Sequence, residues 1–346
     1  MTTTALGREE LARVAAVLRS VGEPVEGELR ARLIAGGRSN LTYALCDDAR
    51  RWVLRTPPRA GRTPSAHDVV RELRFTRALH GAGVPVARAV AACQDEAVLG
   101  VPFAVSGFVA GDALRTRADL DALDDAALRG VVDELVSVLA ALHAVVPEQV
   151  GLGDLARPGG YVERQTRRWS RQWEIVGVPA LRALATEVAR GLRAWAPAEP
   201  RTRVVHGDYR IDNTLLDLPR RHLAAIVDWE LAALGDPSAD VAMMCAYRDP
   251  AFDLIVGEPG AWTSPRLPDA AALAAAYEQA AGVRLRDWEA HLALASFKVA
   301  VIAAGIAHRA SRGAGSGRGF ATAGEAVAPF LLKARQALSA HEGSHR

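Results

Sequence analysis

The segment from Val204 to Asp240 limits what this chain can fold into more than any other stretch. Thr214-Leu215-Leu216 and Ala224-Ala225-Ile226-Val227 are short apolar runs around the turn Pro219-Arg220-Arg221-His222, a pattern that predicts a β-hairpin. A hairpin returns to the end from which it left, so Asn213, just before the first run, and Asp228, just after the second, are expected at the same end. Upstream, Val204-Val205 leads into His206-Gly207-Asp208-Tyr209-Arg210-Ile211-Asp212-Asn213. An amide oxygen and a carboxylate brought together suit a hard divalent cation, which takes oxygen ligands and keeps waters and phosphates in its shell. Asp212 is a poorer candidate, because neighbouring side chains in an extended loop point apart.

Length and composition set the outer limits. A chain of 346 residues suggests roughly two domains and can bury a substantial core. Half the residues are hydrophobic, yet no uninterrupted apolar run of about 18 appears, so no membrane span or membrane partner is expected. Met1-Thr2-Thr3-Thr4-Ala5 lacks a basic segment followed by an apolar core, so no secretory signal is expected. Cys46, Cys93 and Cys245 lack metal-ligand spacing and read as buried, reduced thiols of a cytoplasmic protein. The formal net charge of +2, without a long basic block, argues against a nucleic-acid partner.

Asp208 and Asn213 have the spacing of the catalytic-loop Asp and Asn of protein kinases, and Asp228 stands where a kinase places its metal-binding Asp. His206-Gly207-Asp208-x4-Asn213 resembles the version of this loop found in the aminoglycoside phosphotransferase and choline kinase-like family. Asp228-Trp229-Glu230 and Leu234-Gly235-Asp236-Pro237-x2-Asp240 further resemble the branch fused to some acyl-CoA dehydrogenases. The resemblance runs from about Leu33 to Met244 and fades beyond. It implies an α+β, two-lobed protein kinase-like fold. A small antiparallel-sheet N-lobe would occupy 1–108, with an N-terminal helix and a nucleotide-covering loop. A larger, mostly helical C-lobe would occupy 109–346, with the catalytic loop and the acceptor site.

The same resemblance implies ATP and Mg2+ as cofactors, Asp208 as the base that receives a hydroxyl proton, and Asn213 and Asp228 as metal ligands. Asp240 would be the buried acid that fixes the loop. His206 reads as a brace for the loop rather than as the base.

Ahead of this segment, Glu9 to Val21 has helical apolar spacing, and Leu29 to Ile34 and Leu41 to Leu45 read as strands. Between the strands stand Gly36-Gly37-Arg38-Ser39-Asn40. Two readings stand side by side: an ordinary Gly-Gly hairpin turn, and a loop whose backbone covers nucleotide phosphates. In the second reading Ser39 and Asn40 add their side chains. Arg51 to Arg55 is the next strand, and Arg55 occupies the place of the kinase Lys, so it is expected on phosphate with a different, forked geometry. Pro64 to His80 reads as a helix whose Glu72 is the candidate partner of Arg55, with Asp68 as a fallback. Gly83 to Ala87 begins the later strands. Val101 to Val109 is a strand running into a hinge where Ser106, Gly107 and Phe108 are expected to offer backbone groups to the adenine edge.

Asp124 to Val146 is a long amphipathic helix ending near His143, read as a satisfied helix histidine. From Gly151 to Trp173 the chain is rich in Arg and aromatics. It is either a partly exposed helix whose long side chains cover apolar surface or a pocket wall for an acidic group. Asp249 to Leu267 has no period and reads as a loop. Pro268 to Ala280, Arg286 to Arg309 and Glu325 to Ser339 read as helices. The function expected is an ATP- and Mg2+-dependent transfer of the γ-phosphate to a hydroxyl of a small molecule, by a monomer or homodimer. The alternative is a kinase-like regulatory module that holds nucleotide or acyl-CoA without turnover.

Overall fold

The computed structural model describes residues 5–35, 40–59, 68–195, 197, 201–313 and 317–344. The chain divides into two compact units, residues 1–111 with 224–230, and residues 112–223 with 231–346. The α+β architecture expected from the sequence is found: the first unit is built on an antiparallel sheet and the second is mostly helical.

In the first unit, helix α1 (Arg8–Ser20) starts where the Glu10 carboxylate accepts the Gly7 N–H at 2.8 Å. It lays Val14, Ala15 and Leu18 on the sheet. Strands β1 (Arg30–Ala35), β2 (Leu41–Cys46) and β3 (Arg51–Thr56) form a meander. Helix α2 (Val69–Gly81), strand β4 (Ala89–Cys93), the single turn α3 (Glu96–Leu99) and strand β5 (Phe103–Gly107) follow. The sheet order is β1-β2-β3-β5-β4, all neighbours antiparallel.

The pleat decides which side chains face which layer. On β3, Trp52 and Leu54 point into the α1 side, with Tyr43, Leu45, Phe103 and Val105. Arg55 therefore belongs to the opposite face, where Val69 and Leu73 of α2 pack on Ala104. The segment 224–230 joins this unit through Ile226, whose N–H donates to Pro85 O at 2.8 Å.

The second unit opens with α4 (Arg117–Asp121) and α5 (Asp125–Ala144), followed by α6 (Tyr161–Val176) and α7 (Arg182–Ala194). Then come β6 (Arg203–Val205), β7 (Thr214–Asp217), β8 (His222–Ile226), whose residues from Ala224 on belong to the first unit, and β9 (Ala233–Gly235). Helices α8 (Pro237–Ala246), α9 (Phe252–Val256), α10 (Ala270–Ala281), α11 (Trp288–Ser311) and α12 (Val327–Ser344) complete it. The anticipated hairpin is the β7–β8 sheet, and β6 pairs antiparallel with β9. Helix α11 is the spine, packed on α12, α8 and α6. By length and composition it could cross a membrane, but 83% of that stretch is buried inside the protein, which makes it a core helix.

Several expectations change. Residues 83–87 form no strand: Gly83 turns with φ 78°, Pro85 has no N–H to donate, and β4 starts only at Ala89. The aperiodic stretch 249–267 contains α9, too short for a period to show. It is tied by Arg117 to Asp253 at 2.7 Å and by Thr263 to Asp253 at 2.5 Å. The Arg-rich stretch is helix α6, with Val162, Trp169 and Trp173 buried and Arg167, Arg168 and Arg171 exposed. Of the three cysteines only Cys245 is buried; Cys46 and Cys93 are the last residues of β2 and β4 and are half-buried. Helices α7 and α8 were not anticipated.

Candidate active site

Strand β6 delivers the chain to the loop 206–213 and Asp240 holds it there. The Asp240 carboxylate accepts the N–H of His206 at 2.6 Å and of Gly207 at 2.7 Å, and the His143 Nε2 lies 3.1 Å away. The other His143 nitrogen meets the Tyr277 hydroxyl at 2.8 Å. Burial works against the Asp240 charge, but the bond to His143 and the loop N–H groups more than offset it, so the carboxyl sits below its usual range. Gly207 has φ 81°, and a Cβ there would lie 2.8 Å from Leu231 O, so only glycine fits this turn.

Within this frame Asp208 is held on both sides. Asn213 Nδ2 donates to Asp208 O and to Asp208 Oδ2, each at 2.8 Å. Arg210 Nη2 donates to the same Oδ2 at 3.1 Å, while its Nη1 donates to Asp212 Oδ2 at 2.8 Å. The guanidinium also lies over the rings of Tyr247 and Phe252, 4.9 and 5.0 Å from their centroids. Burial raises the Asp208 carboxyl, but Arg210 outweighs it and keeps Asp208 below the usual carboxylate value. His206 Nδ1 accepts the Asp208 N–H at 3.3 Å, so it braces the loop. Residues 211–213 form a 3-10 turn rather than an extended loop, which corrects the reason given for setting Asp212 aside: Arg210 occupies it.

The first unit carries the second cluster. Arg55 Nε lies 3.2 Å from Glu72 Oε2, an ionic contact without hydrogen-bond alignment, and Arg55 Nη2 donates to Asp228 Oδ1 at 3.0 Å. Asp68 is spent as the cap of α2, accepting Arg71 N at 2.9 Å, so Glu72 is the carboxylate beside Arg55. Burial pushes the Glu72 carboxyl up to about 7, with Arg55 only partly opposing. Asp228 has φ 65°, a left-handed conformation that costs a non-glycine residue about 1–3 kcal/mol and that clusters at functional sites.

Two sequence expectations need correction here. Asn40 does not present its side chain outward: it is buried just ahead of β2, and its Nδ2 donates to Glu72 Oε1 at 2.8 Å. The N–H groups of Gly107 and Phe108 are taken by Arg88 O at 2.8 Å and Arg51 O at 3.2 Å, and Ser106 is paired on both sides within the sheet. Those amides are therefore not donors to an adenine edge. Gly36, Gly37, Arg38 and Ser39 lie outside the described residues.

Sequence reasoning passed over Arg210 and Lys298. Arg210 had a local signal, a cation set between two acids two residues to either side. Lys298 of α11 is buried, with Nζ donating to Gly207 O at 2.9 Å, and nothing near it in sequence points to the loop.

Among the described residues no group of three or more His, Cys, Asp or Glu gathers as a metal cage. In the second unit Asn213 uses Nδ2 on Asp208 and keeps Oδ1 outside those bonds. In the first unit Asp228 meets Arg55 through only one of its oxygens. Oxygens of either kind suit a cation that completes its shell with phosphate and water.

An antiparallel five-stranded unit, a mostly helical unit and a braced His-Gly-Asp-x4-Asn loop define the two-lobed kinase-like class of transferases. Residues 30–294 match the Phosphotransferase enzyme family, APH, and the chain belongs to that family. It is 31% identical over 287 residues to mouse acyl-CoA dehydrogenase family member 10, covering 81% of this chain and 26% of that protein. It is 28% identical over 298 residues to human acyl-CoA dehydrogenase family member 11, covering 84% of this chain and 38% of that protein. The chain thus spans well under half the length of these curated relatives.

Among solved structures, a protein of Ralstonia eutropha JMP134 provisionally assigned as an aminoglycoside phosphotransferase superposes with a TM-score of 0.80. The two are 31% identical, with 95% of this chain and 98% of that one covered. A thermostable mutant of aminoglycoside phosphotransferase APH(4)-Ia, in ternary complex with ADP and hygromycin B, matches with a TM-score of 0.62 at 15% identity. The match covers 94% of this chain and 97% of that one, and at this identity it shows a common fold.

Proposed function

We propose that this kinase-type transferase moves the γ-phosphoryl group of ATP, with Mg2+, to a hydroxyl of a small molecule. The observation that supports this most is the placement of Asp208: a carboxylate on a loop whose backbone groups are held by Asp240, Asn213 and His206. Phosphoryl transfer asks little covalent chemistry of a protein. It asks for alignment and for compensation of charge. Asp208 would orient the acceptor hydroxyl and take its proton. Asn213 and Asp228 would hold magnesium, which supplies charge neutralisation at the phosphates. Arg55, backed by Glu72, would meet a phosphate oxygen. The acceptor class is an alcohol: the names of the relatives and the hygromycin B complex put hydroxyacyl thioesters and aminoglycosides on the panel to be tried.

A second reading, a nucleotide-holding regulatory module, draws on one contact. Asp228 is tied to Arg55, so a metal ion has to compete with a guanidinium for it. ADP release from MgATP across a panel of sugars, amino alcohols, aminoglycosides and hydroxyacyl thioesters separates the two. The transferase reading expects acceptor-dependent ADP release that Asp208→Asn cuts by about 10²–10⁴-fold. It also expects that variant to keep the nucleotide-dependent rise in Tm. Nucleotide binding without any release from the wild-type chain would favour the module.

A further inference from the structure

Of the 42 lysines and arginines in the chain only two are lysines, Lys298 and Lys333. Lys333 is a half-exposed partner of Asp249. Lys298 is different: it sits in the middle of α11 and is buried. Its Nζ lies 2.9 Å from Gly207 O and 5.8 Å from the centroid of the Trp169 ring. A carbonyl and a ring face are poor compensation for a buried ammonium, so this charge is a cost to the fold. Burial accordingly draws it down to about 8, against the attraction of Asp208 and Asp240. A chain that uses arginine almost everywhere keeps here the compact, single-point donor, which can reach one carbonyl where a planar fork would need more room.

What it reaches is the peptide between Gly207 and Asp208. Asp240 fixes the N–H of Gly207 on one side of that residue, and Lys298 fixes its carbonyl on the other. Gly207 is in the left-handed region, where glycine has more rotational freedom than any other residue. The N–H of the same peptide is held only by the longer 3.3 Å bond to His206 Nδ1, so without the carbonyl anchor the peptide is left on that one hold and can tilt, carrying the Asp208 side chain with it. Lys298 also lines a small cavity with Tyr161, Gln165, Trp169 and His291.

We propose that Lys298 is a positioning residue for phosphoryl transfer: its ammonium anchors the Gly207 carbonyl and thereby sets the peptide that carries Asp208. The inference rests on the transferase reading, and the test keeps the two apart. Lys298→Met removes the donor and the charge at nearly the same volume, while Lys298→Gln keeps a donor. Turnover is read as ADP release from MgATP, with water as the acceptor and with any acceptor from the panel. Loss of the anchor is expected to lower kcat by about 100-fold in K298M, the scale of a small misplacement at a reacting group. The KM for MgATP should stay within about twofold. K298Q should recover most of the rate. The Tm of K298M should equal or exceed that of the wild type, a combination that a purely structural lysine would not give.

The Asp208 amide resonance, whose nitrogen is bonded to the Gly207 carbonyl carbon, reports the peptide without any turnover. It is expected to shift and broaden in K298M and to return toward the wild-type position in K298Q. Unchanged kcat in K298M overturns the proposal, and so does a fall in Tm matched by lost nucleotide binding. If the wild-type chain releases no ADP, the transferase reading fails on its own, and an Asp208 amide unmoved by K298M then overturns the role of Lys298 independently.

Discussion

Asn213 binds Asp208 twice, through its backbone oxygen and through Oδ2, with the same amide nitrogen and at the same 2.8 Å. The Asn therefore faces Asp208 with its donor, and its carbonyl oxygen is directed elsewhere. In the proposed mechanism this one residue serves both the orientation of the base and the metal. Asn213→Ala should damage both at once: kcat falls by about 10²-fold or more, and the Mg2+ concentration for half-maximal rate rises. Asn213→Asp keeps an oxygen for the metal but puts a like charge beside Asp208, so it should restore the Mg2+ dependence better than the rate. A magnesium titration of the three proteins decides it. An alanine variant with wild-type rate and wild-type Mg2+ requirement would sink this assignment.

Arg210 draws the Asp208 carboxyl down. Burial pulls the carboxyl upward, and the guanidinium 3.1 Å from Oδ2 more than reverses that pull. In Arg210→Gln the reversal is gone, so Asp208 should hold its proton to higher pH. The acid limb of the kcat/KM profile should move to higher pH. Asp212, left without its partner, should add a drop in Tm. A pH–rate profile whose acid limb stays in place in R210Q would show that Arg210 acts only on the fold.

These two side chains also mark what could and could not be read from the sequence. The contact of Asp208 with Asn213 was legible because it is local, made within one loop. Glu72 was legible because a helix beside a strand offers few carboxylates, and Asp68 is spent on the cap. Asn40 misled because it follows glycines that suit a phosphate loop, whereas its side chain is spent inside the fold on Glu72. The hinge amides misled because an edge-to-centre strand pairing far along the chain consumes them. Helix α8 was missed since nearly every side chain in it is buried, and a helix buried all round shows no polar period. Lys298 was invisible for a related reason: its partner is 91 residues away, and contact across that distance leaves no spacing to read.

Glu72 should make the stability of the first unit depend on pH. Its carboxyl is raised to about 7 in the fold by burial, above the ordinary value of 4.5. The folded state thus holds a proton that the unfolded chain releases between those two values. The stabilising contribution is complete below about 4.5 and is lost as pH rises through about 7. Glu72→Gln cannot titrate, so the Tm of E72Q relative to wild type should climb between pH 5 and 7 and level off above. A constant difference across that range would mean that Arg55 and Asn40 hold Glu72 fully charged.

Asp240 is buried at 1% exposure and its two oxygens face only donors: His206 N, Gly207 N and His143 Nε2. A carboxylate is the one common side chain that offers two acceptors and no donor. Asp240→Ala strands two backbone amides and a ring nitrogen in the interior. At about 1–3 kcal/mol for each stranded group, the loss should reach about 4 kcal/mol, a large share of a typical fold's stability. Asp240→Asn is the sharper test, because it preserves volume and one acceptor. Its amide would have to turn an N–H toward a group that is itself a donor, so at least one contact becomes a repulsion. D240N should therefore lose nearly as much as D240A in urea denaturation, and the two should share a collapse in turnover. If D240N unfolds within about 1 kcal/mol of the wild type, the need here is for shape alone and not for a doubly accepting carboxylate.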